Sequence, residues 1–158
     1  MFYLSVDVGV TNLGIAYGEN DLEGFLLYTF HDRSPVLLAS ELKGVITNLI
    51  HERHQCVLIV EKQMNANTKA FGIMYCLIGM CTGMGFIDVV MFDPIMKFAG
   101  MDVHYDSKKK EHKKLSAEMC RTRLLSRGLT DMVEEFDKLR KKDDVADAVN
   151  MLWSHLHM

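Results

Sequence analysis

The sequence predicts an α/β fold: a mixed five-stranded sheet, three antiparallel strands and then parallel ones, flanked by helices. Three observations predict it. Residues 2–8 alternate and are rich in β-formers, and two further short strand-like runs follow within the next 22 residues. A continuous apolar run, Cys56–Val60, has the composition of a strand buried on both faces, as in a parallel arrangement. The segments after Pro35 and Thr68 carry apolar residues at helical spacing.

Gly9 breaks the first strand, and Leu13–Tyr17 and Gly24–Phe30 continue the meander. Pro35 opens a helix with apolar residues at Val36, Leu37, Leu42, Val45, Ile46 and Leu49, expected to run to about His54. A second helix is expected over about 68–82, followed by a strand at Phe86–Phe92 that Pro94 closes. Residues 95–114 read as irregular and strongly basic. Helices then follow at about 115–127, near 130–139 and over about 143–155, with Asp143 as N-cap of the last. This order places helices on both sides of one sheet. With 158 residues, no linker and no repeat, the chain is expected to be one domain, 1–158.

A hydrophobic fraction of 49% and a charged fraction of 25% are ordinary for a globular protein. The net charge of −3 hides two basic runs, Lys108, Lys109, Lys110, Lys113 and Lys114, then Lys138, Arg140, Lys141 and Lys142. Such runs present a local positive field to a polyanion, or else form solvated faces. The four cysteines lack C-x-x-C spacing and three lie in apolar runs, which points to reduced, buried thiols rather than a zinc site or disulfide framework. The seven histidines show no metal-binding spacing. The apolar opening MFYLSVDVGV has no basic leader, and the apolar stretch at 70–87 is interrupted by Gly79, Gly83 and Gly85. A soluble, intracellular protein without a membrane span is expected.

Three acidic stretches propose a metal site: Asp7 in VDVG, Glu61 in LIVEK, and Asp144 and Asp147 in DDVADAVN. Asp7 ends a strand at a tight turn, and Glu61 directly follows four residues of buried strand, where an uncompensated charge is unfavourable. Asp144 and Asp147 are three apart and share one face of an otherwise apolar helix, whereas Asp143 points roughly 100° away from Asp144. Hard divalent cations take oxygen ligands, and a two-metal phosphodiester-hydrolysing site needs several converging carboxylates. The plainer readings are a capped turn for Asp7, a surfacing strand end for Glu61, and an acidic first turn favoured by the helix dipole.

These motifs, DVGVTNLGIA, IVEKQ and DDVADAVN, resemble the three acidic motifs of RuvC-type Holliday-junction resolvases of the ribonuclease H superfamily. The chain is more closely similar to the resolvases of poxviruses and other large DNA viruses, through VEKQMNANTKAF, FDPIMKFAG and KKKEHKKLSAE. The resemblance implies a ribonuclease H-like sheet and a homodimeric endonuclease that cuts four-way DNA junctions by paired nicks. Asp7, Glu61, Asp144 and Asp147 match the metal-binding carboxylates, for Mg²⁺ with Mn²⁺ as substitute, and no small-molecule cofactor is expected. Lys69 resembles a functionally important lysine of the viral branch and is a catalytic candidate, a cation to orient the nucleophilic water or offset charge developing on the phosphate. Its plainer reading is a solvated lysine at a helix N-terminus. Phosphate contacts are expected from Lys108, Lys109, Lys110, Lys113, Lys114, Lys141 and Lys142. The helix bearing Gly72, Gly79 and Gly83 is the implied dimer interface, against the alternative of internal packing. The implied location is the host cytoplasm, at sites of viral DNA replication. The rival functions are a broader flap or fork nuclease of this fold and an actin-like ATPase; the latter fails on length and on the lack of a second Gly-rich phosphate loop.

Overall fold

The computed structural model describes residues 1–31, 34–94, 96 and 109–157. Lys108 and most of the FDPIMKFAG stretch after Pro94 lie outside the described residues, as does the side chain of Lys109.

Strands β1 (Phe2–Val8), β2 (Asn12–Gly18), β3 (Leu22–Thr29), β4 (Cys56–Glu61) and β5 (Asp88–Phe92) form one sheet in the order β3-β2-β1-β4-β5. The pairs β1·β2 and β2·β3 are antiparallel, and β1·β4 and β4·β5 are parallel. This is the mixed sheet that the sequence predicts, with the twice-covered Cys56–Val60 run beside the first strand.

Among the described residues, the helices are α1 (Pro35–Leu49), α2 (Thr68–Gly83), α3 (Lys109–Ser126), α4 (Thr130–Asp137) and α5 (Lys142–His157). Helices α1 and α2 cover one face of the sheet: Leu42, Ile46, Met74 and Leu77 pack with Phe2, Leu4, Val6 and Val8 of β1 and Leu58 and Val60 of β4. Helices α3, α4 and α5 cover the other, where Cys120, Leu124, Phe136, Val145 and Val149 pack with Ala16 and Ile59. The pleat of each central strand is therefore used on both sides.

Four expectations are corrected. Helix α1 ends at Leu49 rather than near His54, because the chain turns through Glu52 at φ 62° and Arg53 N–H bonds back to Ile50 O at 2.9 Å. Strand β5 begins at Asp88, since Phe86 N–H and Ile87 N–H are taken by Cys81 O and Cys56 O in the turn after Gly85, whose φ is +90°. Helix α3 starts at Lys109 rather than about 115: its first turns are charged and expose most of their side chains, so apolar spacing shows only from Ser116, Cys120 and Leu124 onward. Asp143 lies inside the first turn of α5 rather than capping it, and pairs with Lys113 at 3.0 Å.

The cysteines are free thiols, and burial pushes Cys81 and Cys120 up to about 12. Among the described residues, no helix is long and apolar enough to cross a membrane.

Candidate metal centre

Strand β1 sends Phe2, Leu4, Val6 and Val8 toward α1 and α2, so Tyr3, Ser5 and Asp7 alternate toward the α5 side. Two contacts fix how α5 runs along that face. The Tyr3 ring lies 4.9 Å from the His155 ring, and Ser5 Oγ donates to Ala148 O at 2.8 Å. Helix α5 therefore descends against β1 and delivers its first turns, with Asp144 and Asp147, to the end of the strand where Asp7 stands. Glu61 ends β4, one step past the Val6–Val60 pair, which sets it beside Asp7.

Gly14 makes this approach possible. It is the β2 partner of Asp7, and a Cβ at this position would overlap the main-chain carbonyl of Asp144 and lie 2.8 Å from Val145 N. Only a residue without a side chain lets the start of α5 seat directly on β2.

The outcome is a group of three half-buried carboxylates. Asp7, Glu61 and Asp147 each offer an oxygen, and these atoms all lie within 4.8 Å of one another. Like charges gathered this closely repel, and a hard divalent cation resolves the repulsion while taking oxygen ligands. The donor set fits such an ion. Asp144 stands outside the 4.8 Å group, one turn before Asp147 on α5. Burial foremost, then the charge of Asp143, pushes the Asp144 carboxyl above the usual range; Lys141 and Lys113 pull against this, and Asp147 adds to the rise.

The other residues singled out in the sequence fall into distinct places. Lys113 is held by Asp143 at 3.0 Å, and chiefly that bond, with the fields of Asp143, Asp144 and Asp147, raises its ammonium pKa against desolvation. Lys110 and Lys114 are exposed on α3. Lys142 Nζ donates to Leu139 O at 3.0 Å, at the end of the α4 segment, and Lys141 is half-buried in the field of Asp144. Lys69, in the first turn of α2, lines a cavity of about 400 Å³ with Val10, Leu38, Gly72, Ile73 and Cys76. Gly72, Gly79 and Gly83 are exposed, and among the described residues a Cβ on any of them would meet nothing within 4 Å, so they serve no close helix approach there.

Gly14, Ser116 and Asn150 belong to the site and escape the motif reading. Ser116 and Asn150 are wholly buried polar residues, and the Ser116 hydroxyl bonds to Asp147 Oδ1. Their signals in the sequence are faint: a glycine inside a strand pattern, and single polar residues in apolar helix faces.

The model of the poxvirus A22 protein family matches residues 1–157. The chain belongs to that family. Its fold is similar to the crystal structure of the fowlpox virus Holliday junction resolvase, with a TM-score of 0.69 and 17% identity over 99% of this chain and 97% of that one. It is also similar to Thermus thermophilus RuvC, with a TM-score of 0.64 and 16% identity over 98% and 93%. A third structure, the fowlpox virus resolvase with substrate Holliday junction DNA, aligns with a TM-score of 0.60 and 19% identity over 98% and 97%. No curated protein sequence matches the chain. At these identities the structural likeness establishes a RuvC-like fold.

Proposed function

We propose that this chain is a divalent-metal-dependent endonuclease that resolves four-way DNA junctions as a homodimer, each copy acting as one domain of residues 1–158. The observation that carries the reading is the convergence of Asp7, Glu61 and Asp147, from two adjacent strand ends and one helix, within 4.8 Å. Membership of the A22 family and a RuvC-like fold support it, since both neighbouring folds include resolvases solved with Holliday junction DNA.

Asp7, Glu61 and Asp147 would hold Mg²⁺, with Mn²⁺ as substitute, and Asp144 would serve a second ion position beside them. A bound divalent ion supplies a water of lowered pKa and neutralises charge on the phosphate under attack. The chain's own residues do the rest. The sheet and α5 fix the carboxylates, Gly14 seats the helix, and Lys113 places a cation on the flank of the acids without occupying their centre. Lys110 and Lys114, exposed on the same helix, would grip neighbouring phosphates. Lys69 and Lys141 would extend that grip from either side.

The exposed stripe of Gly72, Tyr75 and Gly79 on α2, with Tyr75 53% exposed beside Phe71, offers a second copy a close, partly aromatic surface. A two-fold dimer matches the near-symmetry of a four-way junction and pairs the cuts. Gly79→Leu is expected to give a monomer by sedimentation, or a dimer that nicks without paired release of two duplexes. A folded Gly79→Leu dimer with paired cuts would place the interface elsewhere.

The deciding assay compares labelled four-way junction, fork, flap and linear duplex with Mg²⁺, Mn²⁺ or chelator. Metal-dependent paired cleavage of the junction in preference to the others is expected. Equal cleavage of flaps and forks would make the protein a broader branched-DNA nuclease, and cleavage that survives chelation would overturn the metal centre.

A further inference from the structure

Three polar side chains behind Asp147 form a chain that the metal centre alone does not explain. Arg123 Nη1 on α3 donates to Asn150 Oδ1 on α5 at 2.9 Å. Asn150 Nδ2 donates to both the carbonyl oxygen and the hydroxyl Oγ of Ser116, each at 3.0 Å. The Ser116 hydroxyl bonds to Asp147 Oδ1. Ser116 and Asn150 are both 0% exposed, where an unmade hydrogen bond costs about 1–3 kcal/mol, so each link is enforced by its surroundings.

The direction of every hydrogen bond follows from donor inventory. A guanidinium only donates, so Arg123 fixes the Asn150 oxygen as the acceptor and turns the amide NH₂ toward Ser116. That NH₂ only donates, so the Ser116 oxygen accepts from it and has one proton left to give. An ionised carboxylate only accepts, so that proton goes to Asp147. All donors therefore point one way, from a cation to a carboxylate. The Arg123 guanidinium is itself held, 5.4 Å from the Trp153 ring centre.

We infer that Arg123, Asn150 and Ser116 are positioning residues, a one-way buried relay that fixes the orientation of the Asp147 carboxylate and thereby sets the affinity of the centre for a divalent cation. The inference rests on Asp147 being a metal ligand. Partners of this kind behind a ligand typically carry a 10–100-fold effect on metal affinity. The rival role is mere joining of α3 to α5, to which polar burial adds no net stability over well-packed apolar residues.

The test is calorimetric titration of Mn²⁺ into the metal-free full chain without DNA, alongside thermal unfolding without metal. Ser116→Ala is expected to weaken Mn²⁺ binding by about 10-fold or more, and Ser116→Thr, which keeps the hydroxyl, to restore most of it. Asn150→Asp is the sharper variant. The new carboxylate accepts from Arg123 and also from Ser116, so the hydroxyl turns round and abandons Asp147 although Ser116 is intact. Its loss of affinity should equal that of Ser116→Ala, and the double variant should lose no more than either single one. Lowered unfolding temperatures with unchanged Mn²⁺ affinity in both variants would overturn the relay and leave a structural joint. Gained affinity in Asn150→Asp would do the same, showing that added negative charge outweighs orientation. Glu61→Gln separates the metal site from the relay. If it leaves Mn²⁺ binding intact, the metal site is misplaced; if it abolishes binding while Ser116→Ala does not weaken it, the site stands and the relay falls.

Discussion

Near the start of β1, Arg53 reaches Glu19 at 2.7 Å and Glu23 at 2.8 Å while its guanidinium lies 4.6 Å over the Phe2 ring. Near the end of the same strand, Asp7 meets Glu61 and Asp147 within 4.8 Å, the Asp147 Oδ1 partner is a serine hydroxyl, and the adjacent Lys113 is held by Asp143 on the flank. Both ends gather acids. At the first, a committed arginine compensates them, and the arrangement is complete without any ligand. At the second, strand register and helix placement hold carboxylates together against their repulsion, and the nearby lysine is directed to an acid outside the group. The first grouping is compensated by its own arginine and reads as structure. The second is a set of converging acids placed by strand register and helix packing, the kind of oxygen donor set that a hard divalent cation takes.

The difference between the two ends is tested most sharply at the carboxylates. Asp147→Asn or Glu61→Gln should lower junction cleavage in Mg²⁺ by ~10³-fold or more, since removing a ligand takes away on the order of 4 kcal/mol of transition-state stabilisation. Junction binding, measured by mobility shift in Ca²⁺ or chelator, should change little, because phosphate contacts lie elsewhere. Near wild-type turnover in either variant would remove that residue from the ligand set.

Gly14→Ala comes next. Its methyl would displace the main chain at Asp144, so the expected result is a loss of about 1–3 kcal/mol of stability in urea, the range for overpacking. Cleavage per folded molecule should also fall, because α5 carries Asp147. A variant of unchanged stability and activity would mean that α5 seats itself without the close contact.

Much of this is legible in the sequence, for identifiable reasons. The Cys56–Val60 run and the alternation of residues 2–8 are strong periodic signals, and both are central strands. Asp7, Glu61 and Asp147 stand out because each interrupts an apolar pattern. The start of α3 is hidden because Lys110, Glu111, Lys113 and Lys114 are exposed there, and a solvent-facing turn leaves no apolar period. Ser116, Asn150 and Gly14 are hidden for a different cause: their meaning is a distance to another element, which no local pattern encodes. The pairing of Lys113 with Asp143 is likewise a tertiary fact, and it narrows the basic run read from charge alone.

That narrowing is measurable. Replacing Lys110 and Lys114 with Ser should weaken junction binding and lower the slope of log K against log salt by ~0.9 for each duplex phosphate that is no longer neutralised. Lys142→Ser, which removes a half-buried lysine whose ammonium donates to Leu139 O, should lower the slope less. An unchanged slope in the Lys110 and Lys114 variant would show that α3 presents a solvated face, and a large change in Lys142→Ser would show that its internal bond yields to DNA.

The smallest effect is expected at the finished end of β1. Arg53→Met removes two partly exposed ion pairs and the contact over Phe2, leaving Glu19, just past the end of β2, and Glu23 on β3 to solvent. Exposed ion pairs and an exposed cation–π contact are each weak, so the urea midpoint should fall only slightly. High salt should shrink that difference, because screening already weakens the pairs in the wild type. Junction cleavage in Mg²⁺ and Mn²⁺ affinity should both stay at wild-type values, since this cluster lies at the opposite end of β1 from the Asp7, Glu61 and Asp147 group. A fall in Mn²⁺ affinity in Arg53→Met would show that the two ends of the strand are coupled, and that the acids near Phe2 are held for more than the stability of that end.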